Sequence, residues 1–138
     1  MRNADLQSRS FSCRLVGAIL ISVSLFVTGV SRAADCDLEA GARIYQRCIA
    51  CHSLKKGEHG VGPSLHDVLG KSAGKQDGFL FSAALATADI VWTSESLSAF
   101  LENPMSLIPG SIMAFPGIKK PEERLALICW LATPRTEE

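Results

Sequence analysis

Strand signals are weak throughout this sequence of 138 residues, and no βαβ pattern can be read in it. A dithiol of the thioredoxin kind, which sits at a strand-to-helix junction, therefore has no place here. A second pair of cysteines or histidines at zinc spacing is also missing, which excludes a tetrahedral zinc site. There is no internal repeat and no low-complexity linker, so length alone points to one domain. Formal net charge is zero, and nucleic acid is not an expected partner.

That zero mixes two segments. Residues 1 to 14 carry Arg2, Arg9 and Arg14 against one acid, Asp5, and Leu15 to Val30 is apolar apart from Ser, Thr and Gly. Ser31-Arg32-Ala33 follows, with small residues at the two positions a signal peptidase reads. Residues 1–33 are therefore expected to be a secretory signal, cut after Ala33 or Ala34, and residues 34–138 the working domain. The alternative is an uncleaved membrane anchor, since the apolar run falls a little short of the ~20 residues that span a bilayer. Of fourteen basic and fourteen acidic residues, the signal takes four (Arg2, Arg9, Arg14, Arg32) and one (Asp5). Ten and thirteen remain, so the exported domain is mildly acidic.

What is present is Cys48-Ile49-Ala50-Cys51-His52. Two thiols three positions apart, with an imidazole directly after the second, have the spacing that attaches a c-type haem. Each sulfur adds to one vinyl group, and the histidine then lies under the iron. The remaining alternative is a chance pair of buried cysteines. Export suits the haem reading, because covalent attachment of this kind takes place outside the cytoplasm. A chain of about 100 residues buries a small share of its surface, and a bulky apolar cofactor would supply much of its core.

The rest of the chain reads as helices and loops. Asp37 to Arg47 is expected to be helical, with an acid capping its first turn and the motif cysteines at its C-terminal end. Gly41 costs that helix stability and so has a packing reason, with Trp130 the expected neighbour. Lys55 to Gly62 is a polar loop ending in Gly62-Pro63, whose rigid carbonyl is placed to orient the His52 ring. A short helix is expected from about Ser82 to Thr87, with Phe79, Phe81 and Leu85 turned inward. Thr93-Ser94-Glu95 starts a helix through Leu101, and Asn103-Pro104 stops it. Met105 to Gly117 is apolar but broken by proline and glycine at Pro109-Gly110 and Pro116-Gly117, and is expected to hold no helix. Pro121-Glu122-Glu123 opens the last helix, to about Ala132, with Leu125, Ile128, Cys129 and Ala132 on its apolar stripe and Leu127, Trp130 and Leu131 widening it.

A haem iron above His52 needs a second ligand. Met113, in the apolar loop, is the expected one; Met105 follows a helix-ending proline, and His59 and His66 are expected at the surface. Cys36 and Cys129 are left over. They are expected to stay unpaired, Cys129 in the core and Cys36 exposed, although a bridge is open to them if the terminal helices meet.

From about Asp37 to Ala132 the chain resembles a class I cytochrome c of the mitochondrial and bacterial soluble type. The resemblance lies in Cys48-x-x-Cys51-His52, Gly62-Pro63-Ser64-Leu65-His66, Gly78-Phe79, Trp92, Leu101-Glu102-Asn103-Pro104, Ile108-Pro109-Gly110-Ser111-Ile112-Met113, Phe115 to Lys120 and the final helix. It implies an all-α fold wrapped round one covalently attached haem c, with crossed N- and C-terminal helices. It implies His52 and Met113 as axial iron ligands, the Pro63 carbonyl bonded to His52, and Trp92 bonded to a haem propionate. With both axial positions filled no substrate site remains, so the implied function is one-electron transfer in a periplasmic respiratory or dehydrogenase-linked chain, not catalysis. Implied partners are redox proteins such as a dehydrogenase, a bc1-type complex or a terminal oxidase, met by a monomer. The alternatives are an anchored or enzyme-dedicated acceptor subunit, and a haem peroxidase or gas sensor with a labile Met113. Departures from the pattern are Lys71 and Phe81, where an arginine and a tyrosine are common, Phe100 for a tyrosine near the methionine, and Ile112 for a lysine. The last thins the lysine ring that docks such proteins on acidic partners and points to more apolar docking.

Overall fold

The computed structural model describes residues 36–134; the expected secretory segment lies outside them. Helix α1 spans Leu38–Tyr45, α2 Ala83–Ala86, α3 Ser94–Glu102, α4 Pro104–Leu107 and α5 Pro121–Leu131. No strand occurs among the described residues, only two isolated bridges, His52 with His59 and Ser72 with Val91. The all-α expectation holds. No helix among the described residues is long and apolar enough to cross a membrane.

Helices α1 to α4 each begin where a side chain accepts from a free amide, and α5 begins on a proline. Asp37 accepts from the Ala40 amide at 2.8 Å and caps α1. Thr93 and Ser96 form a reciprocal capping box at the start of α3. Pro121 occupies the first turn of α5, where a missing N–H costs nothing, and Glu122 and Glu123 suit the positive end of the helix dipole.

Helices α1 and α5 cross at Gly41. A Cβ there would lie 2.3 Å from the Ala126 carbonyl oxygen and 2.4 Å from the Trp130 Cβ, so only glycine lets the two backbones come this close. The Tyr45 and Trp130 rings stack beside the crossing at 4.6 Å between centroids. Helix α3 adds Leu97, Phe100 and Leu101, all buried, and its Phe100 ring lies 5.0 Å from that of Trp92. Ile118 and Leu127 are the most deeply buried of the large apolar side chains.

Four expectations are corrected. Pro104 does not only stop α3; it takes the first position of a new one-turn helix, α4, capped by the Asn103 side chain on the Ser106 amide at 3.3 Å. Part of the loop expected to be irregular is therefore helical. On α5, Leu125 and Ala132 are exposed, and the buried face runs through Arg124, Leu127, Ile128 and Leu131. The phase is turned because Arg124, not an apolar residue, holds one place on it. Cys36 and Cys129 are joined by a disulfide, since the α1–α5 crossing brings their Cα atoms to 5.7 Å, within bridging range. Finally, His66 is buried rather than at the surface: one ring nitrogen, Nδ1, is 3.2 Å from the Leu54 carbonyl, and the other is 3.0 Å from the Asp67 carboxylate. Burial of this imidazole is tolerable because both nitrogens have oxygen partners.

Candidate functional site

The haem-attachment motif is built on the unwinding end of α1. The Cys48 amide donates to the Tyr45 carbonyl at 2.7 Å, and the Cys51 and His52 amides both donate to the Cys48 carbonyl, at 3.0 and 2.9 Å. These turns carry the two thiols and the imidazole as one compact unit. The Tyr45 hydroxyl donates to the His52 carbonyl at 3.2 Å, tying the motif back to the helix that presents it.

The loop after the motif folds over the His52 ring. The Gly62 amide donates to the Cys51 carbonyl at 2.8 Å, and a Cβ at Gly62 would sit 2.3 Å from His52 Cε1. Glycine is required there so that the backbone can lie flat against the imidazole. His52 Nδ1 is 2.7 Å from the Pro63 carbonyl oxygen. A carbonyl can only accept, so Nδ1 carries the proton and Nε2 the lone pair. Among the described residues no side chain or backbone group bonds Nε2.

The donor set fits a covalently attached haem. Two thiols match two vinyl groups, and the disulfide elsewhere leaves Cys48 and Cys51 as the free pair among the described residues. Burial pushes the Cys48 thiol above its ordinary range, against the nearby charge of Arg47 and with a smaller push from Cys51. It is held as the neutral thiol near pH 7. Trp92 is buried, and its indole N–H has no protein acceptor among the described residues, so it is free to donate to a ligand's carboxylate.

Met113 is half-buried in the segment between α4 and α5 and packs against the same apolar cluster as Cys48. A second link joins its segment to the motif: the Arg47 guanidinium lies 5.2 Å from the centre of the Phe115 ring and its Nη2 is 3.5 Å from the Gly117 carbonyl. The competing ligands are otherwise engaged. His59 accepts from the Ser64 amide through Nδ1 at 3.1 Å, so its Nε2 carries the proton and donates to the Asp77 carbonyl at 3.0 Å. His59 is thus a half-buried brace between two loops. His66 is buried and paired as above, and Met105 is 51 % exposed.

The departures named from the sequence also find places. Lys71 donates to the His66 carbonyl at 2.6 Å, Phe81 packs edge-on against Phe79 at 4.8 Å, and Phe100 is buried against Trp92. Sequence reasoning missed Arg124, which is 8 % exposed. The available signal was its position, three and four residues before Leu127 and Ile128, on a face that had to be buried.

A family model described as cytochrome c matches residues 38–134. Cytochrome c of Euglena viridis is 43 % identical over 98 residues, covering 70 % of this chain and 96 % of that protein. Cytochrome c2 of Rhodomicrobium vannielii is 33 % identical over 127 residues, covering 91 % of this chain and 96 % of the relative. Among solved structures, cytochrome cH from Methylobacterium extorquens superposes with a TM-score of 0.65 at 38 % identity, over 69 % of this chain and 96 % of the other.

Proposed function

The chain belongs to the cytochrome c family and carries one covalently attached haem c, and from that premise we propose that it is an exported, periplasmic one-electron carrier with His52 and Met113 as axial ligands. Members of the family are electron carriers that hand electrons to and from redox partner proteins. The haem supplies a single redox couple, and Met/His ligation raises its potential. The protein's part is to orient His52 through the Pro63 carbonyl, to keep the apolar Met113 segment against the motif, and to hold the cofactor edge where a partner can reach it. Export rests on the composition of residues 1–33.

The observation that carries the ligand assignment is the engagement of its rivals. Both ring nitrogens of His59 and of His66 are bonded within the protein, while Met113 is half-buried on the apolar cluster that also holds Cys48. Oxidised holoprotein is expected to show the weak far-red sulfur-to-iron band, and Met113→Ala to abolish it while gaining carbon monoxide binding in the reduced state. A band that survives the substitution sinks the assignment. Wild type that lacks the band and binds carbon monoxide readily would bring forward the peroxidase or sensor reading.

The Met113 side of this site is short of charge. No charged residue occurs from Asn103 to Ile118, Ile112 beside Met113 is 77 % exposed, and Val61 beside Gly62 is 82 % exposed. Docking through such a surface draws little on long-range steering, which elsewhere changes association rates by about 10- to 1,000-fold. Electron self-exchange between oxidised and reduced protein, followed by NMR line broadening, is expected to change less than about threefold between roughly 10 mM and 500 mM salt. A tenfold rise over that range would show that charge governs the approach.

A further inference from the structure

We propose that Arg124 is a positioning residue for Met113, the clasp that fixes the return of the Met113 segment onto helices α3 and α5. The inference rests on the reading that Met113 is the sixth ligand. Arg124 is a charged side chain in the buried face of α5, and its guanidinium spends its donors on two other parts of the fold, the segment before α5 and helix α3. Nη1 donates to the Ile118 carbonyl at 2.8 Å and to the Lys119 carbonyl at 2.9 Å. Nε donates to the Ser98 hydroxyl on α3 at 2.9 Å, and Nη2 pairs with the Glu102 carboxylate at the end of α3 at 3.3 Å.

Besides Arg124, side chains hold the segment at two places: Arg47 meets Phe115 and Gly117, and the Lys119 ammonium donates to the Glu102 carbonyl at 2.8 Å. Between Met113 and Gly117 the backbone bonding is local, the Phe115 amide donating to the Met113 carbonyl at 2.9 Å. The first backbone bond from the segment to another element is the Ile118 amide to the Leu101 carbonyl at 2.8 Å. Arg124 takes the carbonyl of that same residue. Ile118 is therefore held on both its N–H and its C=O, by α3 and by α5, and is itself almost fully buried. Four residues separate it from Met113, a short uncharged tether whose far end is set by Arg124. Burying a guanidinium is costly unless its donors are met, and here a forked group meets two adjacent carbonyls and two side chains at once. A lysine retains the charge but is a single point, and cannot span Ser98, Glu102 and the two carbonyls.

The test compares wild type, Arg124→Lys and the milder Ser98→Ala as oxidised holoproteins. Amide hydrogen exchange is followed at Ile118 and at core positions of α1 and α5, and the far-red band is melted alongside far-ultraviolet helicity. In Arg124→Lys the Ile118 amide is expected to exchange at least tenfold faster while the α1 and α5 core amides change less than twofold. The band is expected to vanish about 10 °C or more below the loss of helicity, where in wild type the two coincide, and Ser98→Ala should move both readouts the same way by less. Parallel acceleration of all amides, or coincident melts in both variants, overturns the proposal and makes Arg124 a residue of general stability only. If wild type shows no band that depends on Met113, it is the ligand reading that fails. The exchange arm still decides whether Arg124 holds the segment.

Discussion

Replacing Cys36 and Cys129 together by serine is expected to lower the unfolding free energy of the holoprotein by about 4 to 5 kcal/mol. The bridge spans a sequence separation of 93 residues, so it encloses the attachment motif, the Met113 segment, helices α1 to α4 and most of α5. Closing so long a loop removes a large conformational entropy from the unfolded chain, and the cost of closure grows with the logarithm of its length. The covalent haem also restricts the unfolded chain, but only locally, because Cys48 and Cys51 are three positions apart. The disulfide is therefore the chain's sole long-range covalent constraint among the described residues. The double variant is the proper one, since a single replacement would leave a free thiol able to compete with Cys48 and Cys51 during maturation. Denaturant unfolding without reductant measures the change, with reduced wild type as a check that reproduces it. A loss below about 1 kcal/mol would show that the α1–α5 packing already supplies the restraint. Thiol counting on denatured, unreduced holoprotein lacking residues 1–33, and with them Cys13, gives a second reading: zero for the bridged chain, two for an unbridged one.

That bridge also marks the limit of what local pattern conveys. Cys48, Cys51 and His52 were legible because their chemistry requires a fixed spacing within five residues. The capped starts of α1 and α3 were legible for the same reason: Asp37 and Thr93 act on amides two or three residues away. Gly41 was legible from its cost, since a glycine in a helix asks for a close neighbour, and Trp130 and Ala126 supply it. By contrast, the pairing of Cys36 with Cys129 depends on where two distant helices cross, which no local signal encodes. His66 was misplaced because its partners, Leu54 and Asp67, become visible only once the loop is folded. Pro104 carries two meanings, stop for one helix and start for the next, and reading only the first hid α4. On α5, counting apolar residues selected a stripe through Leu125. The true face is turned toward Arg124, whose charge is made tolerable by partners on α3 and in the preceding loop.

Gly41→Ala separates two opposing effects at the helix crossing. Alanine favours a helix interior over glycine by about 1 kcal/mol, so an exposed position would gain from the change. At Gly41 the added Cβ meets the Ala126 carbonyl oxygen at 2.3 Å and the Trp130 Cβ at 2.4 Å, and neither is the free end of a flexible side chain. Relief requires the helices to part, which loosens the Tyr45–Trp130 stack as well. Overpacking of this kind costs typically 1–3 kcal/mol, and a backbone contact belongs at the upper end. The expected outcome is a net loss of about 2 kcal/mol, a fall in melting temperature of roughly 8 °C or more for a domain of this size. Gly57→Ala is the control: it has φ +69° but nothing within 4 Å of its added Cβ, so it bears backbone strain alone and should cost about 1 to 2 kcal/mol. A Gly41→Ala protein as stable as wild type would mean that the crossing can slide without penalty. The bridge makes a sharper test of the same physics. Cys36 and Cys129 tether the elements that Gly41→Ala must push apart, so the intact disulfide resists the relieving movement. Without it α1 can shift, and the triple variant should lose less than the two changes lose separately, by about 0.5 kcal/mol or more.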